Sequence, residues 1–68
     1  MSVKMMSKLK RIFDCEEVVI MRVKDIDGEK HIMGIIEELN KDYVRLYDNG
    51  EVSNALYENI LDVKVIGA

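Results

Sequence analysis

Two periods of apolar spacing divide this chain. Met5, Met6, Leu9, Ile12 and Phe13 recur at i, i+1, i+4, i+7 and i+8, a single stripe on a helix. The spacing predicts a helix over residues 3–13, with Lys4, Lys8 and Arg11 together away from the stripe and Ser2 or Ser7 placed to cap its start. From Val18 the period becomes two. Val19, Met21 and Val23 alternate with Ile20, Arg22 and Lys24, as in a strand with one buried face. Asp25-Ile26-Asp27-Gly28 follows, and its Asp-Gly pair signals a hairpin turn. A second strand is predicted over Glu29–Leu39, and Gly34 inside it marks a sharp bend or a close backbone approach. Asn40-Lys41-Asp42 turns the chain into a third strand, Tyr43–Tyr47, with Val44 and Leu46 inward. Asp48-Asn49-Gly50 is the next hairpin turn, Val52–Leu56 the fourth strand, Tyr57-Glu58-Asn59 a break, and Asp62–Ile66 the fifth strand. The expected core is Val19, Met21, Val23, Ile35, Val44, Leu46, Leu56 and Val63.

A helix followed by five short antiparallel strands is too small for a sandwich and suits an SH3-like or OB-like small barrel. The fold class expected is mainly β: one domain over residues 1–68, with an N-terminal helix (1–14) and a five-stranded antiparallel barrel (18–67).

Size sharpens that expectation. A chain of 68 residues buries only about 60% of the surface its unfolded form exposes, so the core is thin. Disulfides, a metal or a partner subunit usually compensate. Cys15 is the one cysteine and His31 the one histidine, which excludes a disulfide within the chain and a tetrahedral metal site, and no cofactor is expected. Self-association is the remaining device. A single thiol and no signal peptide predict a reducing, cytoplasmic setting. No apolar run approaches the roughly 20 residues that span a bilayer, and no membrane partner is expected.

The net charge of −3 conceals a polarity. Residues 1–13 carry Lys4, Lys8, Lys10 and Arg11 and no acid, whereas residues 14–68 carry six bases against thirteen acids, or −7. Such a body is a poor broad phosphate-tracking surface but leaves room for one local basic patch.

Catalytic constellations are missing. No Ser/His/Asp or Cys/His set is present that a domain this small would gather in a pocket, so neither an enzyme nor a small-molecule substrate is expected. Glu16-Glu17 and Glu37-Glu38 are adjacent pairs, which strands turn to opposite faces, so they read as solvated charge. His31 reads as a structural or surface residue and Cys15 as a small packing residue at the helix-to-strand junction.

The stretch Gly34-Ile35-Ile36-Glu37-Glu38-Leu39-Asn40-Lys41-Asp42-Tyr43-Val44-Arg45-Leu46 resembles the bent second strand, loop and third strand of Sm-like proteins. Asn49-Gly50 followed by Leu56-Tyr57-Glu58-Asn59-Ile60 is similar to the closing segment of their bacterial Hfq branch, where a Tyr-Lys-His turn precedes an isoleucine. The resemblance implies an RNA-binding ring in which the fourth strand of one subunit pairs with the fifth of the next. Departures limit what carries over. Glu58 and Asn59 stand where that branch has Lys-His, and Tyr43-Val44-Arg45 offers no counterpart of the uracil-pocket asparagine. What remains is Asn40 to hydrogen-bond a base edge, Tyr43 and Tyr57 to stack on one, and Lys41 and Arg45 to meet phosphate. Asn40, Lys41, Tyr43 and Tyr57 are the candidate RNA-binding residues. Tyr43, Arg45 and Tyr47 share a strand face, which ordinary cross-strand packing also explains.

The leading expectation is therefore a non-catalytic, homo-oligomeric Sm-like protein that binds single-stranded RNA. The alternative is a protein-interaction or assembly barrel without nucleic acid, such as an accessory protein of a phage or other mobile element.

Overall fold

The computed structural model describes residues 2–67. Helix α1 (Val3–Asp14) starts where the hydroxyl of Ser2 accepts the Met5 N–H at 3.1 Å, one of the four donors a helix start leaves unpaired. Its stripe buries Leu9 and Ile12 completely, with Met5 and Met6 packed beside them and Phe13 at the stripe's edge. The helix stops on a paired motif: Glu16 N–H donates to the Phe13 carbonyl at 3.2 Å and Glu17 N–H to that of Ile12 at 3.3 Å. Glu16 sits at φ 53°, a left-handed conformation usually given to glycine at this position. Cys15, expected to pack, is the exposed C-cap of this stop.

The strands are β1 (Val18–Asp25), β2 (Gly28–Leu39), β3 (Tyr43–Asp48), β4 (Glu51–Leu56) and β5 (Ile60–Gly67), with a 3-10 turn at Tyr57–Asn59 before β5. All pairings are antiparallel, and the order across the sheet is β4-β3-β2-β1-β5. The expected barrel is not closed: each of β4 and β5 has one strand neighbour, so both remain edges.

Strand β2 changes partner along its length. Gly28–Ile35 pairs with β1, Ile35–Leu39 pairs with β3, and only Ile35 does both. Gly34 lies at this handover at φ 153°, and a Cβ there would sit 2.5 Å from the Tyr47 carbonyl oxygen, a distance real Cβ atoms do not reach. The glycine anticipated as a bend or close approach is needed for the approach of β3's backbone.

The turns set the parity of each strand. Asn49 and Gly50, at φ 51° and 86°, are the two central residues between the paired Asp48 and Glu51, as a hairpin with the sheet's twist requires. At the other hairpin the Asp-Gly signal falls one residue out: Asp25 pairs with Gly28, Ile26 and Asp27 form the loop, and Gly28 opens β2. The Asp25 carboxylate accepts the Ile26 N–H at 2.9 Å and holds this turn.

The core contains Leu9, Ile12, Val19, Met21, Val23, Ile36, Val44, Leu46, Ala55 and Val63. Two expected core residues are corrected. Ile35 pairs with Tyr47 on the outer face, so Ile36 is the inward residue. Leu56 pairs with Tyr43, again outward, and Ala55 opposite Val44 fills the core. A further correction concerns Glu37 and Glu38. A bulge between Ile36 and Glu38 breaks the alternation, and both carboxylates lie on the side of Arg45. Among the described residues no helix is long and apolar enough to cross a membrane.

Two glycine exchanges should move stability in opposite directions. Gly34→Ala should destabilise by more than about 2 kcal/mol, since β3's backbone must shift. Glu16→Gly should stabilise by roughly 0.5–1 kcal/mol by relieving the left-handed residue. Urea unfolding measures both, and a neutral Gly34→Ala would show that the contact with Tyr47 is dispensable.

Candidate functional site

Two connections at one end of the sheet are tied together. The loop Asn40-Lys41-Asp42 is closed by Asn40 N–H donating to the Tyr43 carbonyl at 2.9 Å. The 3-10 turn then docks on that loop: Tyr57 N–H donates to the Asp42 carbonyl at 3.0 Å, and the Tyr57 hydroxyl donates to the Asn40 carbonyl at 2.7 Å. The Tyr43–Leu56 pair closes the β3–β4 ladder directly beside them. Between these segments and α1 lies an open cleft of about 550 Å³ lined by Met6, Lys41, Asp42, Leu56, Tyr57 and Glu58.

The chemistry of the cleft is mixed. Met6, Leu56 and the Tyr57 ring give it apolar walls. Lys41 is its one cation, exposed and without an ion-pair partner among the described residues, while Asp42 and Glu58 add two acids. Partial burial pushes the Tyr57 phenol above its ordinary value of 10.0, because an ionised phenolate would lose hydration there. The hydroxyl therefore remains a donor to Asn40 through the neutral range.

Of the four candidate residues, Lys41 and Tyr57 meet in the cleft. Asn40 serves through its backbone: its carbonyl holds Tyr57, and its side-chain Nδ2 is buried with no hydrogen-bond partner among the described residues. That Nδ2 is thus not displayed in the cleft as a donor to a base edge. Tyr43 stands next to the cleft but turns its ring to Arg45, whose guanidinium lies 6.0 Å from the ring centroid.

Arg45, read as able to meet phosphate, already has partners in this structure. Its guanidinium donates to Glu38 at 3.0 Å, Asn54 at 3.3 Å and the Tyr43 hydroxyl at 3.4 Å, and it lies 4.0 Å from Glu37. An arginine held by two carboxylates is committed to the outer face of the sheet. Met6, Asp42, Leu56 and Glu58 were not among the candidates. Of these, only Met6 carried a usable signal, as an apolar residue at the margin of the helix stripe.

Compared with family models, curated proteins and solved structures, the chain matches none.

The Tyr57 clasp makes a pH prediction. Its raised folded value means the protonated phenol is preferred in the native state. That contribution is fully present below the unfolded value near 10.0 and is lost as pH rises through the folded value. Tyr57→Phe removes one hydrogen bond, with a cost of about 1 kcal/mol at neutral pH. In urea unfolding, the gap between wild type and Tyr57→Phe should shrink as pH passes about 10 and stay flat below about 9. A gap independent of pH would show that the hydroxyl does not hold the turn.

Proposed function

We propose that this chain is a non-catalytic, Sm-like RNA-binding protein that works as a homo-oligomer in a reducing, cytoplasmic setting. The observation that carries the reading is the cleft in which the strand-connecting loop at Lys41 and the turn at Tyr57 converge on a rigid sheet end. An aromatic ring with apolar neighbours offers a base something to stack on, and an unpaired lysine at its rim offers a phosphate partner. Affinity on this reading comes from stacking, since the acidic body contributes no phosphate attraction. The open edges at β4 and β5 support the assembly half: they are the strands that pair between neighbouring subunits in an Sm-type ring.

A second reading has its own observation. Val18, Ile35, Tyr47 and Val52 are consecutive cross-strand partners, so an apolar row crosses four strands on the outer face, with Ile35, Tyr47 and Val52 exposed. A row of this kind suits an apolar protein surface better than a polyanion. Together with Asp42 and Glu58 in the cleft, it favours a protein-interaction barrel.

Titration with short A-rich and U-rich single-stranded RNAs at two salt concentrations separates the two. On the RNA reading, Tyr57→Ala weakens binding about tenfold or more, while Tyr57→Phe keeps the ring and binds nearly as wild type. Lys41→Ala lowers the salt slope by roughly 0.7 with little change in base preference. Failure of the wild type to bind any single-stranded RNA at low salt gives the lead to protein interaction.

Assembly is tested separately. Light scattering should give a mass well above 7.9 kDa, and Val65→Asp, on the β5 edge, should return it to monomer. A wild type that is monomeric at high micromolar concentration removes the ring.

A further inference from the structure

The β5 edge is engaged by the chain's own helix. Lys8 Nζ, half-buried on α1, donates to the Val63 carbonyl at 2.7 Å, a contact spanning 55 residues of sequence. The register of β1 places that carbonyl on the free side of β5. The two-residue loop Ile26–Asp27 makes Asp25 and Gly28 a hydrogen-bonded pair, so Val23, Met21 and Val19 direct their N–H and C=O groups to β2. Met21 and Val19 therefore turn none toward β5. Their partners there, Val63 and Val65, direct their own groups away from the sheet. Register shifts skip Leu61 and Ile66, which leaves Asp62–Val65 as the regular stretch of this edge. Val63 and Val65 are its outward residues, and Lys8 occupies the first of them.

The opposite edge has no such obstruction. Asp48 and Glu51 close the β3–β4 hairpin, so the outward residues of β4 are Val52, Asn54 and Leu56, in a ladder without a bulge. In an antiparallel pair of the two edges the outward residues stand opposite one another. With Val52 opposite Val65, both exposed, Asn54 stands opposite the buried Val63, so the joint sheet gains one exposed apolar pair. The unobstructed row of free backbone groups on β4, with the Val52–Val65 pair, selects the β4 edge of a second copy as the occupant of β5.

We infer that Lys8 acts as a latch on this edge: a neighbouring copy's β4 reaches the full pairing surface of β5 only when the ammonium leaves the Val63 carbonyl. This rests on the edge-pairing half of the reading above. Lys4, Lys10 and Arg11, on the same helix, are exposed and form no ion pair among the described residues, which leaves Lys8 as the cation that senses the edge. The latch is also a form of edge protection, since a charged donor on a free carbonyl discourages indiscriminate strand addition.

Lys8→Met keeps the apolar stem and removes the donor. Sedimentation equilibrium across a concentration series should show self-association strengthened on the order of tenfold over wild type, the size expected for one charge-assisted hydrogen bond. Lys10→Met makes the same change of net charge away from the edge and should associate as wild type; Lys8→Arg retains a donor and should do likewise. Circular dichroism confirms that each variant keeps its helix. Equal strengthening by Lys10→Met would assign the effect to net charge and overturn the latch. No change in Lys8→Met overturns it too, while a self-associating wild type leaves the assembly reading standing. Monomers throughout, at every concentration, overturn both, and the RNA titration is unaffected by either result.

Discussion

The sheet depends on how closely two backbones approach where β2 leaves β1 and joins β3. At Gly34 a side chain would collide with the Tyr47 carbonyl, so the approach exists only because that position has none. On one side of it, β2 belongs to a hairpin with β1; on the other, it carries β3 and, through β3, β4. Helix α1 then covers the inner face of both halves with Leu9 and Ile12. The loop after β2 and the turn after β4 come to the same end of the sheet because β2 and β4 both run antiparallel to β3, and the Tyr57–Asn40 clasp fixes them there.

Electrostatics divides the surface into committed and uncommitted cations. Arg45 and Arg22 are paired with acids on the outer face, and Lys8 with a carbonyl. Lys41, without an ion-pair partner among the described residues, is the cation that lines the cleft beside the Tyr57 ring. In a chain whose body is strongly acidic, this lysine sets one cation near a ring able to stack. A binding mode led by contact area, with charge as a modest addition, follows from that arrangement.

Much of this was legible in the chain itself. In β1 Arg22 and Lys24 flanking Val23 mark the outer face, and the Asn49-Gly50 pair determines its own turn, because two left-handed residues admit few alternatives. The helix stripe was equally clear. Parity was lost where the pattern stops alternating: in Ile32-Met33-Gly34-Ile35-Ile36 every position but the glycine is apolar, so only the pairing of Ile36 with Leu46 decides which isoleucine is inside. The bulge at Glu37 left no mark either, and it is what gathers two acids on Arg45. At the site, Lys41 and Tyr57 were visible as residue types suited to nucleic acid. That Asn40 would act through its carbonyl, and that Arg45 would be occupied, are consequences of tertiary contacts that spacing does not encode.

The hairpin of β1 and β2 runs on past the body of the sheet. Lys24–Glu29 pair only with one another, their side chains are exposed on both faces, and Ile26 at the tip is 97% exposed. Nothing in the core senses how long this arm is. Residues added at its tip two to each strand, or removed two from each, keep Asp25 and Gly28 in step with the turn and leave the parity of Val23, Met21 and Val19 untouched. Arm length is therefore a nearly neutral variable of the fold: the arm can be lengthened or shortened in such steps while the clasped end and the core stay as they are.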